Sequence, residues 1–232
     1  DLQAAGPDRV SYQTDKRTGK RLAVVDELTH QRISQWLDGQ FWLFDLDCGS
    51  VHDEDQILAQ FEYAHLRYGT DVFLVDNIMT VQFRQGRDSD YYRAQSNFVG
   101  RLVAFAKQHG AHVHMVAHPR KSEPGRKDAS ADDVGGSGDI TNRADNVFLM
   151  RTVTLEEDGR QTTHPCLEIF KNRDFGGKGH INLSFDARSR RFYELGGAPD
   201  KTFGWALAGE QVTFQELAPQ DGGDPWCGSE TG

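Results

Sequence analysis

The sequence predicts an α/β protein with a mainly parallel sheet flanked by helices and antiparallel strands at the C-terminal end. Three observations carry this reading. The run Val72-Phe-Leu-Val75 is apolar without alternation, the pattern of a strand covered on both faces of a parallel sheet. From Arg21 to Ala117 strand-like and helix-like stretches alternate as β-α-β-α-β-α-β, which calls for parallel strands joined by right-handed helical crossovers. Beyond Val147 the strand-like stretches follow one another across turn residues.

In chain order, residues 1–20 read as a connection and Arg21–Val25 as a short strand. Asp26-Glu-Leu-Thr29 opens a helix with Ile33, Trp36 and Leu37 on one face and Gly39 as its stop. Phe41–Phe44 is expected to be a second buried strand, ended by Asp45 and Asp47. Ser50 with Asp53 suggests a capping box for a helix through Tyr68, its apolar face made of Ile57, Leu58, Phe61, Ala64 and Leu66. After the strand within Asp71–Asn77, a helix from about Asp90 to His109 presents Phe98, Leu102, Phe105 and Ala106 at helical spacing, and a strand His112–Ala117 follows. A short helix, Asp139–Ala144, precedes strands at Val147–Arg151, Cys166–Phe170, Ile181–Phe185 and Arg191–Leu195, the last two as an antiparallel pair. From Gly196 to Gly232 the composition shifts to Gly, Asp, Pro and Glu, a flexible acidic tail in which Asp224-Pro-Trp226 is either a docking tip or an unstructured end.

Composition bounds the function. The 232 residues suit one large or two small domains, and 37% hydrophobic content suffices for a core. No apolar run approaches membrane-spanning length and the first residues lack a signal-peptide pattern, so a cytoplasmic location is expected. Cys48, Cys166 and Cys227 have no paired spacing and read as reduced thiols. A net charge of −9 excludes coating nucleic acid through the overall field, so any such contact must be local.

Several residues carry candidate chemistry. Asp76 ends the Val72–Val75 strand, where open α/β sheets bind ligands, and a lone carboxylate there suits a metal ion; a strand followed by an Asn-containing turn explains it equally well. The stretch His118–Asp139 is long for a connection, with a basic part, Pro119-Arg-Lys-Ser-Glu-Pro-Gly-Arg-Lys127, and a glycine-rich part, Gly135-Gly-Ser-Gly138, able to approach a phosphate closely. Lys171 and Arg173 stand two residues apart at a strand mouth, as an anion site or a solvated strand end. His112, His114 and His118 with Asp76 form a possible zinc set, although His-x-His also describes one face of an ordinary strand.

Taken in order, Val72-Phe-Leu-Val-Asp-Asn77, Val113-His-Met-Val-Ala-His118-Pro-Arg-Lys121, Gly135-Gly-Ser-Gly-Asp-Ile-Thr-Asn-Arg-Ala-Asp-Asn146 and Lys171-Asn-Arg173 resemble the C-terminal motor of DnaB-like ring helicases, of the phage primase-helicase and Twinkle type. The likeness spans roughly Phe41 to Leu195 and rests on four individually loose motifs in the right order. It implies a RecA-like P-loop NTPase fold over residues 1–195, ATP or another NTP with Mg²⁺ as cofactors, and 5′-to-3′ helicase activity on single-stranded DNA. It also implies a homo-oligomeric ring, with six subunits expected, and a primase or other replication partner. By position, Asp76 would hold Mg²⁺ through water, His118 would sense the γ-phosphate, and Lys171 and Arg173 would reach a neighbouring subunit's nucleotide, Arg173 as arginine finger. Phe185 would stack on the base and Arg151 would make a second base contact; a core aromatic and a strand-end cation explain those two as well. Arg120, Lys121, Gly136, Ser137 and Gly138 would grip DNA in a central channel.

No G-x-x-x-x-G-K-[ST] string occurs. Thr18-Gly-Lys20 imitates its end, but Thr14 stands where the first glycine belongs and Arg21 where the hydroxyl belongs. The expectation is a motor lacking its first strand and P-loop, inactive in ATP hydrolysis alone. The rival readings are a non-catalytic RecA-like module for DNA binding or ring assembly, a RecA-type recombinase, and the zinc-dependent hydrolase.

Overall fold

The structure is a computed structural model that describes residues 2–44, 53–83, 88–118, 138–157, 159–197 and 203–206. The chain divides into two compact units, one formed by residues 1–38, 185–192 and 198–232, the other by residues 39–184 and 193–197.

In the first unit, α1 (Leu2–Ala5) and a 3-10 turn (Pro7–Arg9) lead into β1 (Val10–Thr14), which pairs antiparallel with β2 (Arg21–Val25). Residues 1–20 are therefore a helix and half a hairpin, not a connection. The apolar positions are too few to show a period, but Val10 and Ala5 are buried against Ile33 and Trp205. Thr18-Gly-Lys20 lies in the hairpin turn, where the Thr18 hydroxyl donates to Asp15 at 2.6 Å. That bond, with one from the Arg17 amide, holds the Asp15 carboxyl below the usual carboxylate range. The phosphate-loop imitation is thus a closed turn.

α2 (Glu27–Leu37) begins as the sequence indicates, the Asp26 carboxylate accepting from the Thr29 amide at 2.9 Å and Ile33 turned into the core. The Thr29 bond depresses the Asp26 pKa. Asp26→Ala is expected to cost about 1 kcal/mol at neutral pH, read as a lower urea midpoint. Because the folded pKa is lowered, the contribution is present above the unfolded value and is lost as pH falls through the folded one. The two midpoints should therefore converge in acid, below about pH 3.9. The tail expectation needs correction at residues 203–206. Trp205 is buried, its indole N–H donating to the Ala4 carbonyl at 2.6 Å, because an indole can be buried once its one donor is satisfied. Asp224–Trp226 lies outside the described residues.

The second unit holds α3 (Glu54–Tyr68), β3 (Val72–Val75), α4 (Asp88–His109), β4 (His112–Met115) and α5 (Gly138–Arg143). β5 (Asn146–Glu157) and β6 (Arg160–Asn172) follow, then β7 (Gly179–Asp186) and β8 (Arg191–Glu194), whose facing ends fall in the first unit. β3 and β4 pair in parallel, Val72 opposite His112 through Val75 opposite Met115, and β5-β6-β7-β8 form a four-stranded sheet with antiparallel β5–β6 and β6–β7 ladders. The fold class is the α/β one the sequence indicates, although β5 and β6 are much longer than their apolar stretches, since polar Thr and Glu positions extend the ladder to the turn.

Phe98, Val99 and Leu102 of α4 form the core with Val75, Ile78, Val81, Phe83 and Ile140. Several expectations need correction. The α3 cap is Asp53, accepting from the Asp55 and Gln56 amides at 3.1 and 2.9 Å while Gln56 answers to the Asp53 amide; Ser50 lies outside the described residues. On α3, Ile57, Leu58 and Phe61 pack on the core, but Leu66 is 73% exposed because it lies round the helix from them. β3 is buried on one face: Phe73 and Val75 point inward while Val72 and Leu74 are about 60% exposed. Likewise Phe41–Phe44 forms no strand; these residues are exposed, and Trp42 stacks on Tyr68 with centroids 4.1 Å apart. An apolar run records a demand for cover, and among the described residues no strand lies beside Phe41–Phe44 to satisfy its amides.

Candidate nucleotide site

Parallel pairing brings two expected residues to one place. Asp76 directly follows β3, and His118 lies three residues beyond β4. The ladder continues past both strands, the Val116 amide donating to the Val75 carbonyl at 2.9 Å and the Ile78 amide to the Val116 carbonyl at 3.0 Å. Asp76 and His118 therefore share the carboxyl edge of the strand pair, both exposed. Behind Asp76, the Asn77 side chain caps the 3-10 turn Ile78–Thr80 by accepting from the Met79 amide at 2.9 Å, and Ile78 anchors that turn in the core. The Asp76–Asn77 peptide bond is cis. No described residue forms an ion pair or hydrogen bond with the Asp76 carboxylate. An exposed, uncommitted carboxylate suits one water-mediated contact to Mg²⁺. The zinc set does not assemble: among the described residues no three His, Cys, Asp or Glu side chains converge to hold a metal. His112 and His114 share a strand face with ring centroids 4.4 Å apart, as alternate residues of β4 must.

Lys171 and Arg173 are committed within the chain. The Lys171 ammonium donates to the carbonyls of Thr141 (2.9 Å), Asn142 (2.8 Å) and Ala144 (2.8 Å), so all three of its protons close the C-terminal end of α5. Burial, reinforced by the charge of Arg173, lowers its pKa against the opposing pull of Asp145. Within this chain Lys171 turns to α5, since a lysine beside a helix C-terminus finds carbonyls to satisfy it. Arg173 pairs with the Asp145 carboxylate at 3.1 Å and donates to the Asn142 carbonyl at 2.9 Å. Its amide extends the β5–β6 ladder by donating to the Asp145 carbonyl at 3.0 Å. α5 is held from its other side by Arg143, which donates to Ser96 on α4 at 2.7 Å and crosses Gly100 so closely that any side chain there would meet its guanidinium.

A groove of about 660 Å³ lies between α4, β4 and the start of β5, lined by Met115, Ala117, Asn146, Val147, Asp145 and Arg173 among others. Arg151 pairs with Glu168 across the β5–β6 ladder at 2.8 Å, and the Phe185 ring meets that of Phe192 at 4.7 Å, so each has a partner of its own in the unit to which it belongs. Arg120, Lys121, Gly136 and Ser137 lie outside the described residues, and Gly138 is the first residue of α5. Sequence reasoning passed over Asp145, Arg143 and Ser96. Asp145 has a signal only once β5 and β6 are in register, because it stands opposite Arg173.

The second unit is thus an α/β arrangement in which the parallel β3–β4 pair carries Asp76 and His118 at its carboxyl edge, beside a second sheet with antiparallel β5–β6 and β6–β7 ladders. The sequence is similar to a Twinkle homolog and to a phage DNA helicase/primase. It is 25% identical over 146 residues to the Twinkle homolog protein, chloroplastic/mitochondrial, of Arabidopsis thaliana, a match covering 62% of this chain and 20% of that protein. It is 24% identical over 195 residues to the DNA helicase/primase of Enterobacteria phage T3, covering 79% and 34%. The chain thus spans about a fifth and a third of these relatives. No protein-family model matches. Among solved structures, a DnaB-like replicative helicase studied with primase aligns with TM-score 0.49 at 16% identity, covering 61% of this chain and 35% of that one. A second solved structure, an isolated ATPase domain, aligns with TM-score 0.45 at 14% identity, covering 62% and 51%.

Proposed function

We propose that this chain supplies the metal-holding carboxylate, the phosphate sensor and the trans-acting arginine of an ATP-dependent replicative DNA helicase. The helicase would work as a homo-oligomeric ring, expected to be a hexamer, moving 5′ to 3′ on single-stranded DNA with a primase as a fitting partner. The observation that carries this reading is the shared carboxyl edge occupied by Asp76 and His118, both exposed. Mg²⁺, held through water by Asp76, would neutralise charge on the terminal phosphates, and His118 would donate to the γ-phosphate. Arg173 would approach from the adjoining subunit, with Arg151 and Phe185 toward the base and Arg120, Lys121 and Gly136–Gly138 toward DNA.

A phosphate-binding loop is absent from these 232 residues. The β4–β5 groove supports its supply by a further strand: β4 ends one sheet and β5 ends another, and both line it. Two sheet edges facing one groove are a template for strand addition. The rival reading, a RecA-like module without catalysis, draws on the same missing loop.

Asp76→Ala separates the two. In the polypeptide that joins this segment to a phosphate-binding loop, the variant is expected to lose Mg²⁺ affinity and hydrolysis by roughly 10–100-fold or more. Its melting temperature should stay close to wild type, because Asp76 is exposed. No turnover in the parent would favour the non-catalytic module, whereas wild-type turnover in the variant would refute the metal role of Asp76.

A further inference from the structure

We propose that Asp145 is a positioning residue that latches Arg173 on the last turn of α5 and keeps it from the neighbouring subunit's triphosphate until α5 shifts. This rests on the trans-acting role proposed for Arg173. Among the described residues, every side-chain partner of Arg173 falls within four consecutive positions: the carbonyls of Asn142 and Ala144 (2.9 and 3.5 Å) and the Asp145 carboxylate (3.1 Å). One displacement of the end of α5 therefore disturbs all three side-chain contacts at once, while the backbone bond from the Arg173 amide to the Asp145 carbonyl can persist.

The two cations differ in how they are held. Lys171 gives its three protons to three carbonyls, and its pKa is lowered chiefly by burial, so it is the fixed cap. Arg173 and Asp145 are 45% and 39% exposed at their side chains, and a pair so wet shifts a population by a factor of at most about five. Such a latch is weak enough for a phosphate to displace, since guanidinium binds phosphate in bidentate fashion. α5 itself sits where movement could be transmitted. It begins at Gly138, is anchored at Ile140 in the core, and touches α4 through Arg143 and Ser96. A group pulling on its first turn acts directly on the residues that hold Arg173.

The test is steady-state hydrolysis by the native full-length polypeptide carrying this segment, with and without saturating single-stranded DNA. Asp145→Asn keeps the size and removes the charge. Without DNA it is expected to raise kcat about two- to fivefold at unchanged KM, and with DNA to match wild type, since the latch is then already open. The gain should vanish in the Asp145→Asn, Arg173→Ala double variant, as it must if Asp145 acts through Arg173. Ser96→Ala, which loosens α5 without touching Asp145, should also raise the DNA-free rate, by no more than Asp145→Asn does.

An unchanged or lowered DNA-free kcat in Asp145→Asn overturns the latch. So does a gain that persists in the double variant, or an unchanged DNA-free rate in Ser96→Ala. If Arg173→Ala alone leaves hydrolysis intact, the trans-arginine reading beneath the proposal fails instead, so the two failures can be told apart.

Discussion

Arg173→Ala is expected to lower DNA-stimulated hydrolysis by roughly 10³–10⁵-fold while nucleotide binding stays near wild type. The size follows from chemistry. A guanidinium placed on the transferring phosphoryl group stabilises charge that develops in the transition state, and such binding raises kcat without tightening the ground state. The cost to the fold should be small, because the pair with Asp145 is exposed and contributes about 0–1 kcal/mol. Rings mixed from Arg173→Ala and Asp76→Ala subunits supply the discriminating measurement. Some boundaries in them unite an intact metal site with an intact neighbouring arginine, so activity should exceed that of either parent. Mixed rings as inactive as their parents would mean that Arg173 does not act across a boundary.

The second large effect is on stability. Phe98 on α4 is 1% exposed in the cluster with Val75, Ile78, Phe83 and Leu102, its ring 5.9 Å from that of Phe83. Phe98→Ala should cost roughly 3–5 kcal/mol, the lost transfer energy plus the cavity left behind. Phe98→Leu should recover much of it. Against a typical domain stability of about 5–15 kcal/mol, the alanine variant would stand near unfolding at about 37 °C. The same cluster seats Ile78, immediately behind Asp76, so loosening it should also blur the carboxyl edge. Chemical denaturation gives the first quantity. A unit as stable as wild type after Phe98→Ala would mean that α4 is not the centre of this core.

What could be read from sequence was whatever a local period or a local cap encodes. Asp26 announced α2, Gly69 ended α3 in the left-handed conformation at φ 67°, and the spacing of Phe98 and Leu102 placed α4 on the core. The order of strands and helices was enough to put Asp76 and His118 at strand ends, because a short buried strand exposes its next residue at the sheet's edge. The hairpin in residues 1–20 escaped notice since its apolar positions are few and only pairing reveals them. Phe41–Phe44 was misread for a related reason: apolarity says that cover is wanted and never which element provides it.

The fate of the two cations could not be read locally. Lys171 lies nearly thirty residues from the carbonyls it caps, and Arg173 meets Asp145 only because β5 and β6 pair in a register that sets Asn146 opposite Asn172. The order of residues was sufficient for the α/β class, the approximate helix bounds and the carboxylate and imidazole at the ends of β3 and β4. It took the folded chain to make Lys171 a helix cap, to rest Arg173 on Asp145, and to leave a groove between β4 and β5. Periods and caps are interactions over a few residues, legible along the chain, whereas the partner of a charge is chosen by proximity in space after the sheet has closed.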